Sequence, residues 1–484
     1  MYLFCPAAVR GMRAGLGAVL ILASLLSAFL LLDCRPTFAL PAFARKYGMP
    51  CSACHEAWPK LSPFGQQFKD NGYQMGNDRD APIFQQAAYW PVTFRITPIW
   101  QRENTNRQSV DVPASGGGVT TGEKSVTTTG FNWTGLDFHT AGTLAHNFTF
   151  YVLPSSDNTG AFHFEAVWTR FDNLFGSSWF NLKFGKFELD NLLSEKRILT
   201  LSNTGGFYRN YHFQPLTAPG IPETSYGFGI GDNQVGVEWM GHSKDDRTRV
   251  SASLLSSNDG QPGLPTSRGY DGFIAASRAF QWGNLGLQRV GGFAYFGQAP
   301  TYYQYNLTTT TQIGTLIDGI TPVINTTTGP VAGTGIGNQG FQRYGLIGMW
   351  YFKKLDVTTI YFRGRDSAFL GAGAPSNQPL PSLARAPTWN GALFETHYTV
   401  SPQLILINRY ELIRMSQQAT VGNPGNLGNV DALTFAARYY PFISSRAGFA
   451  FHGEYSIARQ RDGSPVTFQD LTTNSLLAGF DFAF

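Results

Sequence analysis

From about residue 90 to its last residue the chain repeats one pattern, with large apolar residues at every second position and small or polar ones between them. In the run Phe449 to Ile457, residues Phe449, Phe451, Tyr455 and Ile457 share one face, and His452 and Glu454 share the other. A period of two belongs to a β-strand, whose successive side chains point to opposite sides. The last run, Ser475 to Phe484, sets Ala478, Phe480, Phe482 and Phe484 on one face and Asp481 on the other. Arg409, Glu411 and Arg438 also fall opposite apolar neighbours. Apolar outside and polar inside, repeated strand after strand, is what a closed barrel in a lipid bilayer requires. We count sixteen such segments, the first near 92–103 and the last at 475–484. Short connections such as Ala145-His146 and Lys353-Lys354 suit the periplasmic side. Long ones at about 104–130, 188–233, 298–341 and 366–387 suit the outside. A chain ending on phenylalanine in an alternating strand also looks like the C-terminal signal of bacterial outer-membrane barrels.

Composition narrows the alternatives. Charged residues make up only 14%, aromatic residues another 14%, and there are 54 glycines. That is poor in charge for a soluble protein, yet a mean hydropathy of −0.15 is too polar for a helical membrane bundle. Beyond the N-terminal leader no apolar run reaches the ~18 residues of a spanning helix. A net charge of +4 without a basic cluster argues against nucleic-acid binding. The expected fold is therefore all-β, a 16-stranded antiparallel transmembrane β-barrel over residues 86–484. The loop at 298–341 carries Asp318 as its only charge, so its surface should change little between neutral and acid pH.

Residues 1–39 read as a secretory signal. Arg10 and Arg13 form a positive start, Leu16 to Leu32 an apolar core, and Thr37-Phe38-Ala39 a small-x-small cleavage site that would leave Leu40 first. The apolar run is long enough to read also as an uncleaved anchor. A lipid-modified Cys34 is not expected, because Asp33 stands where a small residue is needed.

Residues 40–85 are too few for a core of their own, and chains that short usually need a covalent or metal staple. They contain Pro50-Cys51-Ser52-Ala53-Cys54-His55. Two cysteines separated by two residues, with histidine next, is the attachment pattern of one c-type haem. Each thiol adds across a vinyl group, and His55 then ligates the iron from one face. Of the four cysteines, Cys5 and Cys34 fall in the leader, leaving Cys51 and Cys54. A redox disulfide or half a zinc site would share the CxxC spacing, but the next histidine after His55 is His139. Export fits the haem, because c-type attachment occurs on the periplasmic side in bacteria. Ser62 as N-cap, Pro63 at the first helical position and Gly72 beyond the end predict a short helix. Its residues Phe64 and Phe68, with Leu61, would share a face suited to a porphyrin edge or to the barrel wall. Met75, twenty residues beyond His55, is the nearest downstream candidate for the distal ligand, since Met49 is too close to Cys51 to reach round. His139, His163, His452, Met240 and Met349 are wall candidates for the same role.

The leader, the run Leu40-Pro41-Ala42-Phe43-Ala44-Arg45 before CxxCH, and the sixteen-strand remainder resemble the fused monohaem cytochrome–porins. In particular the chain is similar to the outer-membrane iron oxidases of acidophilic bacteria, of the iron:rusticyanin reductase type. The resemblance spans the whole chain, though its specific part is the N-terminal block. It implies an oxidoreductase in the outer membrane, with Cys51 and Cys54 as thioether sites and His55 as proximal ligand. Its haem c would plug the lumen and take electrons from extracellular Fe(II). A periplasmic blue copper protein (rusticyanin-like) or soluble cytochrome c would carry them onward. The hydrocarbon layer is about 30 Å thick, far for a single electron-transfer hop, so the haem would have to lie inside the barrel. Glu165, Glu411, Glu454 and Asp481 are conceivable iron stations, but each also reads as a wall carboxylate paired with a lumen base, and no iron site is assigned. Two other readings stay open: a haem-plugged or redox-gated porin for solutes, and a conduit for another extracellular donor or for outward electron flow. The Gly185-Lys186-Phe187 region resembles anion-selective porins and supports the first of these.

Overall fold

The computed structural model describes residues 43, 47, 49, 51–57, 60–70 and 73 ahead of the barrel. From residue 92 it describes all but 157–158, 190–232, 257–269, 301–303, 316–321, 333–337, 367–385, 387, 416–428, 444–447, 462–468 and 484. The leader, the boundary near residue 85, Gly72, Met75 and Phe484 lie outside the described residues.

Sixteen antiparallel strands close into a barrel. The first eight are β1 (Val92–Pro113), β2 (Val119–Ala145), β3 (Phe148–Ser156), β4 (Phe162–Phe171), β5 (Asn181–Glu188), β6 (Asn233–His242), β7 (Thr248–Leu255) and β8 (Asp271–Gln281). They continue as β9 (Leu287–Pro300), β10 (Asn338–Phe352), β11 (Leu355–Asp366), β12 (Thr388–Ser401), β13 (Leu404–Met415), β14 (Asn429–Ile443), β15 (Gly448–Arg461) and β16 (Leu471–Ala483). Each pairs with its neighbour, and β16 returns to β1 through partners such as Leu477 and Gln101. Closure leaves no unpaired edge, the condition for strands in hydrocarbon.

The alternation read from the sequence sorts the side chains as expected. Phe435 is 52% exposed and Leu346 66%, while Glu395 is fully buried and Asp481 only 4% exposed. Apolar side chains outside a charged lining are the arrangement of an outer-membrane barrel, and that is where this chain resides. Trp179, Trp239, Trp282 and Tyr398 are exposed near the tightly connected end, where an interfacial aromatic girdle is expected. Asn147 and Lys353 take positive φ in two-residue turns there, as tight hairpins demand.

Two stretches expected as loops are strand instead. The connection placed at 104–130 is built of the outer halves of β1 and β2, 22 and 27 residues long, joined only by residues 114–118. About ten residues cross a bilayer, so this hairpin projects well beyond it. Its outer half is polar on both faces and gives no alternation to read, while its threonines and valines favour strand. The stretch at 298–341 contains a separate ribbon, Gln304–Thr315 against Pro322–Ala332, which sets Thr308, Thr309 and Thr310 opposite Thr328, Thr327 and Thr326.

One device recurs on the inner wall of β9 to β12. Phe293 faces Gly345, Phe341 faces Gly297, Phe362 faces Gly391 and Trp389 faces Gly364 across neighbouring strands. A Cβ at any of these glycines would stand 2.0–2.2 Å from the opposing ring. The glycines let the rings fold flat against the wall.

Candidate functional site

The N-terminal segment is organised by the two predicted features, the cysteine turn and the capped helix. Cys51–Cys54 is a single helical turn, α1, and Pro63–Asp70 is a helix of eight residues, α2. Between them, His55–Ala57 and Lys60–Leu61 form a short ribbon in which His55 is opposite Leu61. Ser62 caps α2 as expected: its Oγ accepts from the Gly65 N–H at 3.0 Å. The same hydroxyl donates to the Ala53 carbonyl at 2.9 Å, and the Ser62 N–H donates to the Cys54 carbonyl at 2.9 Å. One residue thus starts α2 and ties it to the cysteine turn. Gly65 lies against Cys54 so closely that an added Cβ would come within 1.9 Å of its carbonyl oxygen.

These features were tested against the haem expectation. Cys54 forms no disulfide. Burial pushes its thiol up to about 11, so the group is held protonated rather than as a reactive thiolate. Among the described residues no three His, Cys, Asp or Glu side chains converge. A free Cys54 at the end of a helical turn begun by Cys51 and followed by His55 fits covalent haem attachment. The side chains of Cys51 and His55, like the whole of Met75, lie outside the described residues.

The expected aromatic face is divided. Phe68 is 6% exposed and Phe64 is 41% exposed. Phe68 packs edge-on against Phe43 at 5.1 Å and Tyr47 at 5.6 Å, and Phe43 stacks on Tyr73 at 5.0 Å with the planes 2° apart. Phe43 belongs to the Leu40 to Arg45 run, which therefore reaches into the core of this segment. Tyr73 has φ +60° and donates its N–H to the Phe68 carbonyl at 2.9 Å, closing the C-terminal end of α2.

The segment docks on the inner wall of β3, β4 and β5. Tyr73 lies parallel to Tyr151 at 6.4 Å and to Trp168 at 6.3 Å, and those two stack on each other at 5.6 Å. Arg170 donates from Nη2 to the Lys69 carbonyl at 3.2 Å and from Nε to Asp172 at 2.6 Å. A guanidinium there satisfies a late helix carbonyl and complements the negative end of the helix dipole. Lys69 returns to the wall through Glu188 at 3.6 Å. Lys183, paired with Glu238, sits 5.5 Å above the Trp168 ring and 4.8 Å above Phe187. The helix is held by stacking on one side and charge-assisted hydrogen bonds on the other.

The wall candidates for a distal ligand have different surroundings. Met240 borders the small cavity between Lys69, Tyr73 and the wall. His139 Nδ1 is 3.1 Å from the Tyr151 hydroxyl, His163 is exposed, and Met349 belongs to the buried apolar cluster. His452 is 3.5 Å from Asp481. The four carboxylates considered as iron stations have partners. Asp481 pairs with Arg438 at 3.0 Å, Glu411 is 4.0 Å from Arg409, Glu454 accepts from Ser456 and Glu165 from Ser155. The wall-residue reading of these carboxylates therefore holds.

Sequence reasoning missed Tyr151, Trp168, Arg170 and Glu188. The available signal was two large aromatic residues directly opposed on an inward face, Tyr151 across from Trp168, where a barrel of this type places polar groups.

No family model matches this sequence, and no curated protein matches it. Solved structures similar to it in shape are outer-membrane proteins. The anion-selective porin from Comamonas acidovorans is 11% identical, with 81% of this chain and 99% of that one covered and a TM-score of 0.47. The loop L8 deletion mutant of OmpT from Vibrio cholerae is 12% identical over 81% and 99%, with a TM-score of 0.44. The channel DcaP of Acinetobacter baumannii is 11% identical over 83% and 99%, with a TM-score of 0.42.

Proposed function

We propose that this outer-membrane barrel is a c-type cytochrome in which one haem, carried by the docked N-terminal segment, passes electrons from extracellular Fe(II) to a periplasmic carrier. The observation that carries the reading is the attachment of the CxxCH-bearing segment to the lumen wall through Tyr73, Lys69 and Arg170. A haem on Cys51 and Cys54, with His55 as axial ligand, would supply a one-electron couple matched to a one-electron donor. The chain's own residues do the positioning. Ser62 and Gly65 fix the cysteine turn on α2, and Arg170 and Glu188 fix α2 on the barrel. The barrel wall keeps lipid away, so donor and acceptor approach from opposite mouths. The acceptor class is a small blue copper protein or soluble cytochrome c, following the family resemblance. A distal ligand from Met75 belongs to the same proposal.

The test uses outer membranes bearing the full chain. Ferrous sulfate is added anaerobically in acid while the reduced haem band is followed, with Cys51→Ala as control. Rapid reduction in the parent and none in the variant is the expected result. A haem that dithionite reduces and iron does not would reject Fe(II) as donor.

A second reading is a solute porin with the segment as plug or gate. It is supported by the ion-paired lining on the far side of the lumen, with Arg409 on Glu395 and Arg438 on Asp481. Planar-bilayer conductance of the intact chain separates the two: a steady open-pore current favours the porin.

A further inference from the structure

A shallow apolar groove of ≈680 Å³ runs along the outer, lipid-facing side of β8 to β11. Its floor follows from register. Ala276, Gly292, Leu346 and Tyr361 form one outward row across the four strands, and Arg278, Val290, Gly348 and Thr359 form the next. Small residues at Ala276, Gly292 and Gly348 leave a trough where a barrel normally presents bulk. Leu346 and Tyr361 wall it toward the membrane centre, and Trp350 closes the other end. Trp350 is fixed by a 3.0 Å hydrogen bond from its indole N–H to Thr359 and by edge contact with Trp282 at 6.2 Å. Those indoles mark the interface at the tightly connected, periplasmic end.

Arg278 is exposed at that level and is the one charged side chain among the described residues lining the groove. An arginine facing lipid is costly except near the interface, where its head can reach a phosphate. We propose that the groove binds one anionic phospholipid of the inner leaflet, an acyl chain in the trough and its phosphate on the Arg278 guanidinium. An apolar channel ending in a lone cation matches the two-part chemistry of such a lipid.

The test is native mass spectrometry of the full-length protein released from nanodiscs containing equal phosphatidylglycerol and phosphatidylcholine. The expected result is one retained phosphatidylglycerol. Val290→Trp, which fills the trough, should abolish retention. Arg278→Gln should lower phosphatidylglycerol occupancy about tenfold, the loss of one charge-assisted hydrogen bond, and remove the preference over phosphatidylcholine. Heat-modifiable gel mobility checks that each variant folds, and Arg278→Gln leaves the groove unfilled should Val290→Trp misfold. Equal retention by parent and both variants would mean annular lipid alone and would overturn the proposal. So would a lipid-free oligomer that Val290→Trp dissociates, because the occupant would then be a second copy.

Discussion

The two sides of the lumen wall solve the same problem differently. On β3 to β5 the inward residues are aromatic rings flanked by cations, and they meet the N-terminal segment: Tyr151, Trp168 and Phe187 with Arg170 and Lys183. On β12 to β16 and β1 the wall satisfies itself. Arg409 binds Glu395, and Glu395 also binds His397. Asp481 gathers Arg438, the Thr97 hydroxyl and Arg95. A self-paired wall needs no partner in the lumen, whereas stacked rings and a guanidinium reaching a helix carbonyl have function only with the helix in place. The contrast explains why the segment docks on one side.

The largest test of that contrast is Arg170→Leu. It removes the contact to the Lys69 carbonyl and leaves Asp172 buried without its cation, and breaking such a pair costs about 3–5 kcal/mol. We expect the segment to become protease-sensitive and bilayer conductance to rise. Arg409→Leu, the matching change on the other wall, should lower barrel stability by a similar amount, roughly 3–5 kcal/mol, yet leave the segment protected. If both variants released the segment, the division between the walls would fail. Gly364→Ala pushes a methyl into the Trp389 ring, and overpacking of this kind costs about 1–3 kcal/mol, readable as a lower urea midpoint with no change in conductance. Ser62→Ala should cost about 1 kcal/mol of local helix stability, seen as faster amide exchange across Pro63–Asp70.

The smallest effect lies in the β6–β7 turn. A hydrogen bond from Ser243, with a smaller contribution from Arg247, holds the Asp245 carboxyl below its ordinary value. A depressed folded value means that this contribution is present above the unfolded value and disappears as pH falls through the folded one. Ser243→Ala should therefore move the Asp245 titration, followed by NMR, upward toward the ordinary carboxylate range.

Strands were legible because burial on one face and lipid on the other impose a period of two, and every one of the sixteen expected segments is a barrel strand. The outer halves of β1 and β2 were not, because water on both faces removes the contrast on which that reading depends. The cap at Ser62 was legible because capping is local in sequence. The dock was not, because Tyr73, Trp168 and Glu188 meet only through barrel closure. Inward position could be read for each of the two wall residues, but not which of them the segment would choose.

The central claim is that the segment bearing Cys51, Cys54 and His55 sits on the β3–β5 wall with its haem attached. Lys69 Nζ is 3.6 Å from the Glu188 carboxylate, within reach of zero-length carbodiimide cross-linking in native outer membranes. Peptide mass spectrometry should find Lys69 joined to Glu188, and in the same digest the Cys51–Cys54 peptide carrying haem through two thioethers. A bare Cys51–Cys54 peptide, or a haem-bearing segment joined elsewhere, would contradict the account.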